Sequence, residues 1–251
     1  MKILQKEGLF FMKSSRSDTI EKRGAFMDII QATRERHSVR QYVDIPLKKE
    51  DIAILQKEIE EANKESGLHI QLVLNEEKAF SSFLAHYGKF RNVKNYLALI
   101  GKKADDLEEK CGYYGEKIAL KAQTIGMRSC FVGGTYKKVP SAVTLEKGEK
   151  IVLIIALGYG ENDGVPHRSK PKEKLSDIHE GSPEWFIEGV EAALLAPTAL
   201  NQQKFYLKEE DGKAVIETGS GPFVKTDRGI VKYHFEIGSG KGTEIWKQEK
   251  L

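Results

Sequence analysis

Arg36-His37-Ser38-Val39-Arg40 places two guanidinium groups, an imidazole and a hydroxyl in one short run. A phosphate monoester is the ligand such a set would take. Each charge-assisted hydrogen bond is worth roughly 1.5–3 kcal/mol, and arginine offers a planar fork of donors to paired oxygens. The run falls where a helical pattern ends and the chain turns, which adds backbone N–H groups. Read alone, it also fits a solvated basic turn. A second run, Pro197-Thr198-Ala199-Leu200-Asn201-Gln202-Gln203, follows a helix and precedes a strand. Its proline alone could do no more than stop that helix. Other candidates are weaker. Gly238-Ser239-Gly240-Lys241-Gly242 resembles a phosphate loop, but Gly242 stands where Ser or Thr should follow the lysine, and the run comes after a helix. The histidines show no metal-ligand spacing with each other or with Cys111 and Cys130. His234 is expected to face inward on the last helix. Cys130 reads as a small buried hydrophobe in a strand.

The elements that must hold these runs alternate between helix and strand. Asp28 can cap a helix to about Glu35, and a second helix after Pro46 buries Leu55, Ile59 and Ala62 at i, i+4 and i+7. Leu68–Leu74 and Tyr96–Ile100 read as strands, followed by a helix from Tyr114 to Ile125 with Gly126 at its end. Ser129–Val132 is a short strand, and the apolar run Ile151–Leu157 a central one buried on both faces. Between Gly158 and Ser182 composition shifts to Gly, Pro, Asn, Asp and Lys, predicting a long surface connection. Ser182-Pro183-Glu184 then predicts a capped helix ending at Pro197. Strands Lys204–Lys208 and Ala214–Thr218 join at Asp211-Gly212, a strong hairpin signal. Thr226 or Asp227 can cap a last helix through Ile237. The whole is α+β, with a mixed, mostly antiparallel sheet flanked by helices. Its C-terminal segment reads as a second, shorter copy of a helix-strand-strand-helix unit.

Composition sets wider limits. The 251 residues are 40% hydrophobic, enough for a full core in one or two domains. The formal net charge of +3, from 40 basic and 37 acidic residues, argues against nucleic acid as a partner. Two cysteines without motif spacing point to a reducing cytoplasm. No stretch approaches the ~20 apolar residues that span a bilayer, so no membrane partner is expected. Residues 1–26 lack a signal-peptide core and are expected to form a mobile tail.

Taken together, the Arg-x-Ser-x-Arg turn, the Pro-Ser/Thr-x-x-Asn-x-Gln turn, a Gly133-Gly134 pair after the strand ending Cys130-Phe131-Val132, and the late basic pair of Arg168-Ser169-Lys170 resemble the FMN-dependent nitroreductase family over about residues 27–240. The resemblance implies a nitroreductase-like fold with FMN as cofactor and NADH or NADPH as electron donor. Arg36, His37, Ser38 and Arg40 would hold the FMN phosphate and ribityl chain, joined by Arg168 and Lys170. Asn92 and Lys94 match, loosely, the residues at the pyrimidine end of the flavin ring; as strand-edge polar residues they have an ordinary reading too. Gly133 and Gly134 would lie beside flavin N5, where glycine permits close approach. Pro197, Thr198, Ala199, Asn201 and Gln203 would close over the ring. No catalytic side chain and no metal is implied.

In one respect the chain departs from the family. The proline turn ordinarily follows the second helix and is supplied by a partner subunit. Here that place holds Glu61-Ala62-Asn63-Lys64-Glu65-Ser66-Gly67, and the motif occurs only at 197–203. The C-terminal part in turn lacks an Arg-x-Ser-x-Arg run. The resemblance is therefore closest to a fused subgroup: a degenerate pseudo-dimer, residues 27–180 forming a nitroreductase-like half and 181–251 standing in for the missing subunit. Either a monomer or a homodimer of fused chains would serve. The implied activity is ping-pong hydride transfer to a nitroaromatic, quinone or similar small-molecule acceptor. The alternative is a flavin-binding store or sensor with little turnover, or a flavin-degrading or dehalogenating relative.

Overall fold

A computed structural model describes residues 27–81, 83 and 88–248. The expected tail, 1–26, lies outside them. Helix α1 (Ile29–Glu35) opens with the expected cap, the Asp28 carboxylate accepting the Gln31 N–H at 2.8 Å. Arg36 ends it in an extended conformation, and the chain threads on beside the sheet, with single bridges Ser38–Ser129, Gln41–Arg91 and Tyr42–Gly160. Helix α2 (Lys49–Ser66) buries Leu55, Ile59 and Ala62 as the periodicity predicts, and Gly67 closes it with a left-handed φ of 72°.

Strands β1 (Gln71–Val73), β2 (Asn95–Lys102), β3 (Arg128–Val132) and β4 (Glu149–Gly158) form one sheet in the order β1-β2-β4-β3, every ladder antiparallel. The run Ile151–Leu157 is central, as its unbroken apolar character requires. Alternation along β2 and β4 divides the core between two faces. Leu97, Leu99, Leu153 and Ile155 meet α2 and α3 (Leu107–Thr124) on one side; Ala98, Ile100, Ile154 and Ala156 meet Val39, Tyr42, Phe80 and Phe90 on the other.

The C-terminal part adds α4 (Glu184–Ala193), a separate two-stranded sheet of β5 (Phe205–Glu210) and β6 (Lys213–Thr218), and α5 (Val224–Ser239), around Phe186, Leu207, Phe235 and partly buried Trp185 and Trp246. Asp211 and Gly212 both take positive φ at the hairpin, the geometry the dipeptide favours. Helices α3 and α5 join the two parts by backbone contact. A Cβ on Gly112 would lie 2.0 Å from the Thr226 carbonyl oxygen, and one on Gly229 2.0 Å from that of Glu109. Only glycine fits either position.

Four sequence expectations are corrected. Helix α3 begins at Leu107 rather than Tyr114, because Gly112 and Gly115 serve close packing rather than breaking the helix. Ser182 does not cap α4: its hydroxyl accepts the His179 N–H instead. Thr226 and Asp227 lie inside the first turn of α5, which starts after Phe223. Regular helix α4 also stops at Ala193, residues 194–196 turning more tightly before Pro197.

Candidate functional site

The early turn turns one charge inward and leaves another outside. Arg36 is 2% exposed, its Nε 3.1 Å from Glu116 Oε1 on α3. The same oxygen lies 2.8 Å from Nε2 of His234 on α5, whose Nδ1 is 3.2 Å from the Ala192 carbonyl oxygen of α4. Glu116 and His234 are fully buried. Arg36 Nε and Nη1 and Glu116 Oε2 are buried without a hydrogen-bond partner among the described residues, so the Arg36–Glu116 contact is an ion pair without hydrogen-bond geometry. His37 and Ser38 are half-buried and Arg40 is exposed. Burial, followed by the neighbouring Arg36 charge, holds the His37 imidazole below its ordinary pKa.

A strap over residues 164–170 links this turn to the late one. At its start Gly164, φ 75°, lies against His37: an added Cβ would stand 2.8 Å from His37 Cβ. Farther on, His167 Nε2 and Ser169 Oγ both donate to the Leu194 carbonyl at 2.9 Å, and burial lowers the His167 pKa, with the charges of Arg36 and His234 acting in the same direction. At its end Lys170 N donates to Gln203 Oε1 at 2.8 Å, while Lys170 Nζ donates to the carbonyls of Gln202 and Gln203. The Arg168 carbonyl accepts Asn201 Nδ2 at 2.9 Å.

The late turn is held in a conformation that side chains resist. Leu200, Asn201 and Gln203 have φ of 53°, 52° and 43°, a region costing a non-glycine residue about 1 kcal/mol or more. Surrounding bonds over-determine it. Asp227, inside α5, accepts the Ala199 N–H at 2.9 Å and the Gln202 amide at 2.7 Å, and Thr198 Oγ1 accepts the Gln203 N–H at 3.1 Å. Burial pushes the Asp227 carboxyl up to about 6. Gln203 is buried, and its Nε2 has no partner among the described residues. Leu200 stands 96% exposed at the tip.

Gly133 and Gly134 are exposed just after β3. An added Cβ on Gly133 would lie 2.3 Å from the Phe223 ring, so the glycine lets an aromatic side chain of the C-terminal part lie flat on this loop. Phe223 itself takes φ 61°. Asn92 and Lys94 are engaged elsewhere: Asn92 Nδ2 donates to the Tyr42 carbonyl at 3.1 Å, and Lys94 Nζ pairs with Asp44 at 2.8 Å and Glu77 at 2.9 Å, bonds that raise its pKa.

Sequence reasoning brought out the two turns and the strap's basic residues but passed over Glu116, His167, Asp227 and Phe223. For Glu116 a signal was present: Gly112, Gly115, Glu116 and Ala119 form a helical stripe of small residues with one carboxylate in it, the mark of a closely packed face. His234 does face inward as read, into a charged contact rather than a plain core.

Apart from the buried Glu116 Oε2, the leftover chemistry around the two turns is that of donors. Arg36 Nη1 and Gln203 Nε2 lack acceptors, and Arg40 and Arg168 are exposed cations on the adjoining segments. An oxygen-rich anionic ligand suits this set, as FMN is.

Of three similar solved structures, the first supports this fold. A solved putative nitroreductase from Thermotoga maritima superposes with a TM-score of 0.59 at 21% identity, covering 85% of this chain and 84% of its own. A putative nitroreductase from Desulfovibrio desulfuricans, solved in complex with FMN, gives 0.49 at 17% identity over 62% of this chain and 99% of its own. A putative NADH dehydrogenase/NAD(P)H nitroreductase from Bacteroides thetaiotaomicron gives 0.48 at 19% over 61% and 96%. No curated protein sequence matches the chain. The family model described as "Putative TM nitroreductase" matches residues 28–239, and the chain belongs to that family.

Proposed function

We propose that this chain is an FMN-dependent oxidoreductase of nitroreductase type, taking electrons from NADH or NADPH and delivering them to a nitroaromatic, quinone or similar acceptor. The observation that carries the reading is the strap over 164–170, packed on His37 at one end and bonded to Gln202 and Gln203 at the other. It links a cationic turn to a strained, donor-bearing turn, which supports reading the two as one site. FMN, when bound, supplies hydride chemistry at its own N5, so the protein needs no nucleophile.

The chain's residues would then bind and position. Ser38, Arg40 and Arg168 would hold the phosphate from the solvent side, Arg36 would add a donor from beneath, and His37 and Lys170 would flank the ribityl chain. Pro197, Thr198, Ala199, Asn201 and Gln203 would close over the ring edge, their backbone already fixed by Asp227. Backbone N–H groups at Gly133 and Gly134 would face N5. Asn92 and Lys94 would serve the pyrimidine end, where a cation stabilises negative charge on reduction, after exchanging their present partners. The division at about residue 180, with the C-terminal part acting as a built-in second subunit, belongs to this proposal. One site per chain follows, in a monomer or a pair of fused chains. Among the described residues no helix is long and apolar enough to cross a membrane. Both cysteines are free and buried, which is compatible with the cytoplasmic setting we propose.

Rapid mixing tests the activity. Protein reconstituted with FMN is expected to lose its flavin absorbance on mixing with NADH or NADPH and to regain it when a nitroaromatic or quinone is added. Yellow protein that neither donor bleaches contradicts the oxidoreductase reading.

A further inference from the structure

We propose that Glu116 and His234 are a positioning pair for Arg36, so that the C-terminal part shapes the phosphate end of the site as well as the ring end. The inference rests on the FMN reading above. Both ring nitrogens of His234 face acceptors, Glu116 Oε1 at 2.8 Å and the Ala192 carbonyl at 3.2 Å. Arg36, Glu116 and His234 stand at positions that are 2%, 0% and 0% exposed. Buried charge of one sign is costly unless an opposite charge adjoins it.

The geometry shows what His234 does for Arg36. Glu116 Oε1 lies 3.1 Å from Arg36 Nε, an ion-pair contact without hydrogen-bond geometry, while Glu116 Oε2 and Arg36 Nη1 have no hydrogen-bond partner among the described residues. A carboxylate left to itself would pair with the guanidinium fork to fork, through two parallel bonds. By holding Oε1, His234 keeps Glu116 from closing over the Nη edge and neutralising it. The charge of that buried edge then stays unneutralised beneath the turn. His234 acts through two other residues and touches no ligand itself.

Two amides separate this role from simple packing. In His234→Gln the amide nitrogen stands near the place of Nε2 and keeps the Glu116 contact; in His234→Asn it stands near the place of Nδ1 and keeps only the Ala192 contact. Both are polar and smaller than histidine. FMN and riboflavin, which lacks the phosphate, would be titrated by fluorescence quenching against flavin-free wild type, both variants, Arg36→Met and the double variant Arg36→Met/His234→Asn, with thermal melts alongside. We expect His234→Asn to weaken FMN about tenfold, the size of one lost charge-assisted bond, with riboflavin changed less than about twofold. His234→Gln should stay within about threefold of wild type. In the Arg36→Met background His234→Asn should add nothing, since the pair acts only through Arg36. If His234→Asn keeps the wild-type preference for FMN over riboflavin, or lowers both affinities equally, the positioning role is overturned while the FMN reading stands. A wild type that binds FMN no better than riboflavin overturns the phosphate reading and the pair with it.

Discussion

The two turns linked by the strap over 164–170 are built by opposite means. The early turn keeps ordinary backbone geometry and invests in buried charge: Arg36 reaches into the protein to a glutamate shared with a histidine from the other part of the chain. The late turn buries no cation. It invests in backbone strain, with left-handed Leu200, Asn201 and Gln203 held by a carboxylate and a hydroxyl. The difference would suit the two ends of the flavin nucleotide proposed to bind here. A phosphate dianion is recognised by charge, which acts over distance and tolerates small displacements. A flat ring is recognised by shape and by donors at fixed places, which demand a rigid wall. A turn that cannot relax supplies one.

The comparison can be broken most severely at Glu116. Replacing it with leucine leaves the buried Arg36 charge uncompensated and the His234 ring without its acceptor, and should cost about 3–5 kcal/mol in chemical denaturation. A loss below about 1 kcal/mol would mean that the early turn does not depend on this network. Next in size is Gly229→Ala, where the new methyl would press on the Glu109 carbonyl. It should cost about 1–3 kcal/mol by overpacking and weaken both turns together, since α3 and α5 carry Glu116, His234 and Asp227.

Asp227→Ala sharpens the contrast because it acts on the late turn alone. Two donors lose their acceptor, for about 1–3 kcal/mol, and limited proteolysis should cut first near residues 197–203. The same carboxylate gives a pH signature. Its folded pKa of about 6 lies above the ordinary 3.8, so the native protein holds this proton more tightly than the unfolded chain does. The group therefore favours folding below about pH 4, and that contribution is lost as pH rises through about 6. Relative to Asp227→Asn, wild type should lose about 2 kcal/mol between these limits. A difference independent of pH would show that burial does not set this carboxyl's pKa. The smallest effect has the opposite sign: Leu200→Gly removes a left-handed leucine that buries nothing and should stabilise by up to about 1 kcal/mol, while loosening the wall.

Much of the scaffold was legible because its signals are local. Asp28 caps its helix, the Leu55, Ile59 and Ala62 stripe is buried, Ile151–Leu157 is central, and Asp211-Gly212 makes the hairpin. The two turns were legible as motifs. What escaped depends on contacts between distant segments. Gly112 looks like a helix breaker until α5 is seen pressed against it, and Asp227 looks like a cap until the Ala199 N–H is found on it. Glu116 and His234 are 118 positions apart, and nothing in the neighbourhood of either announces the other.

The central claim is that one polypeptide clamps the flavin at both ends. A crystal structure of the FMN-loaded protein tests it most directly. The account predicts the phosphate against Ser38, Arg40 and Arg168 with Arg36 beneath, and residues 197–203 of the same chain along the isoalloxazine edge. Those residues lying far from the ring, or supplied to it by a second chain, would contradict it.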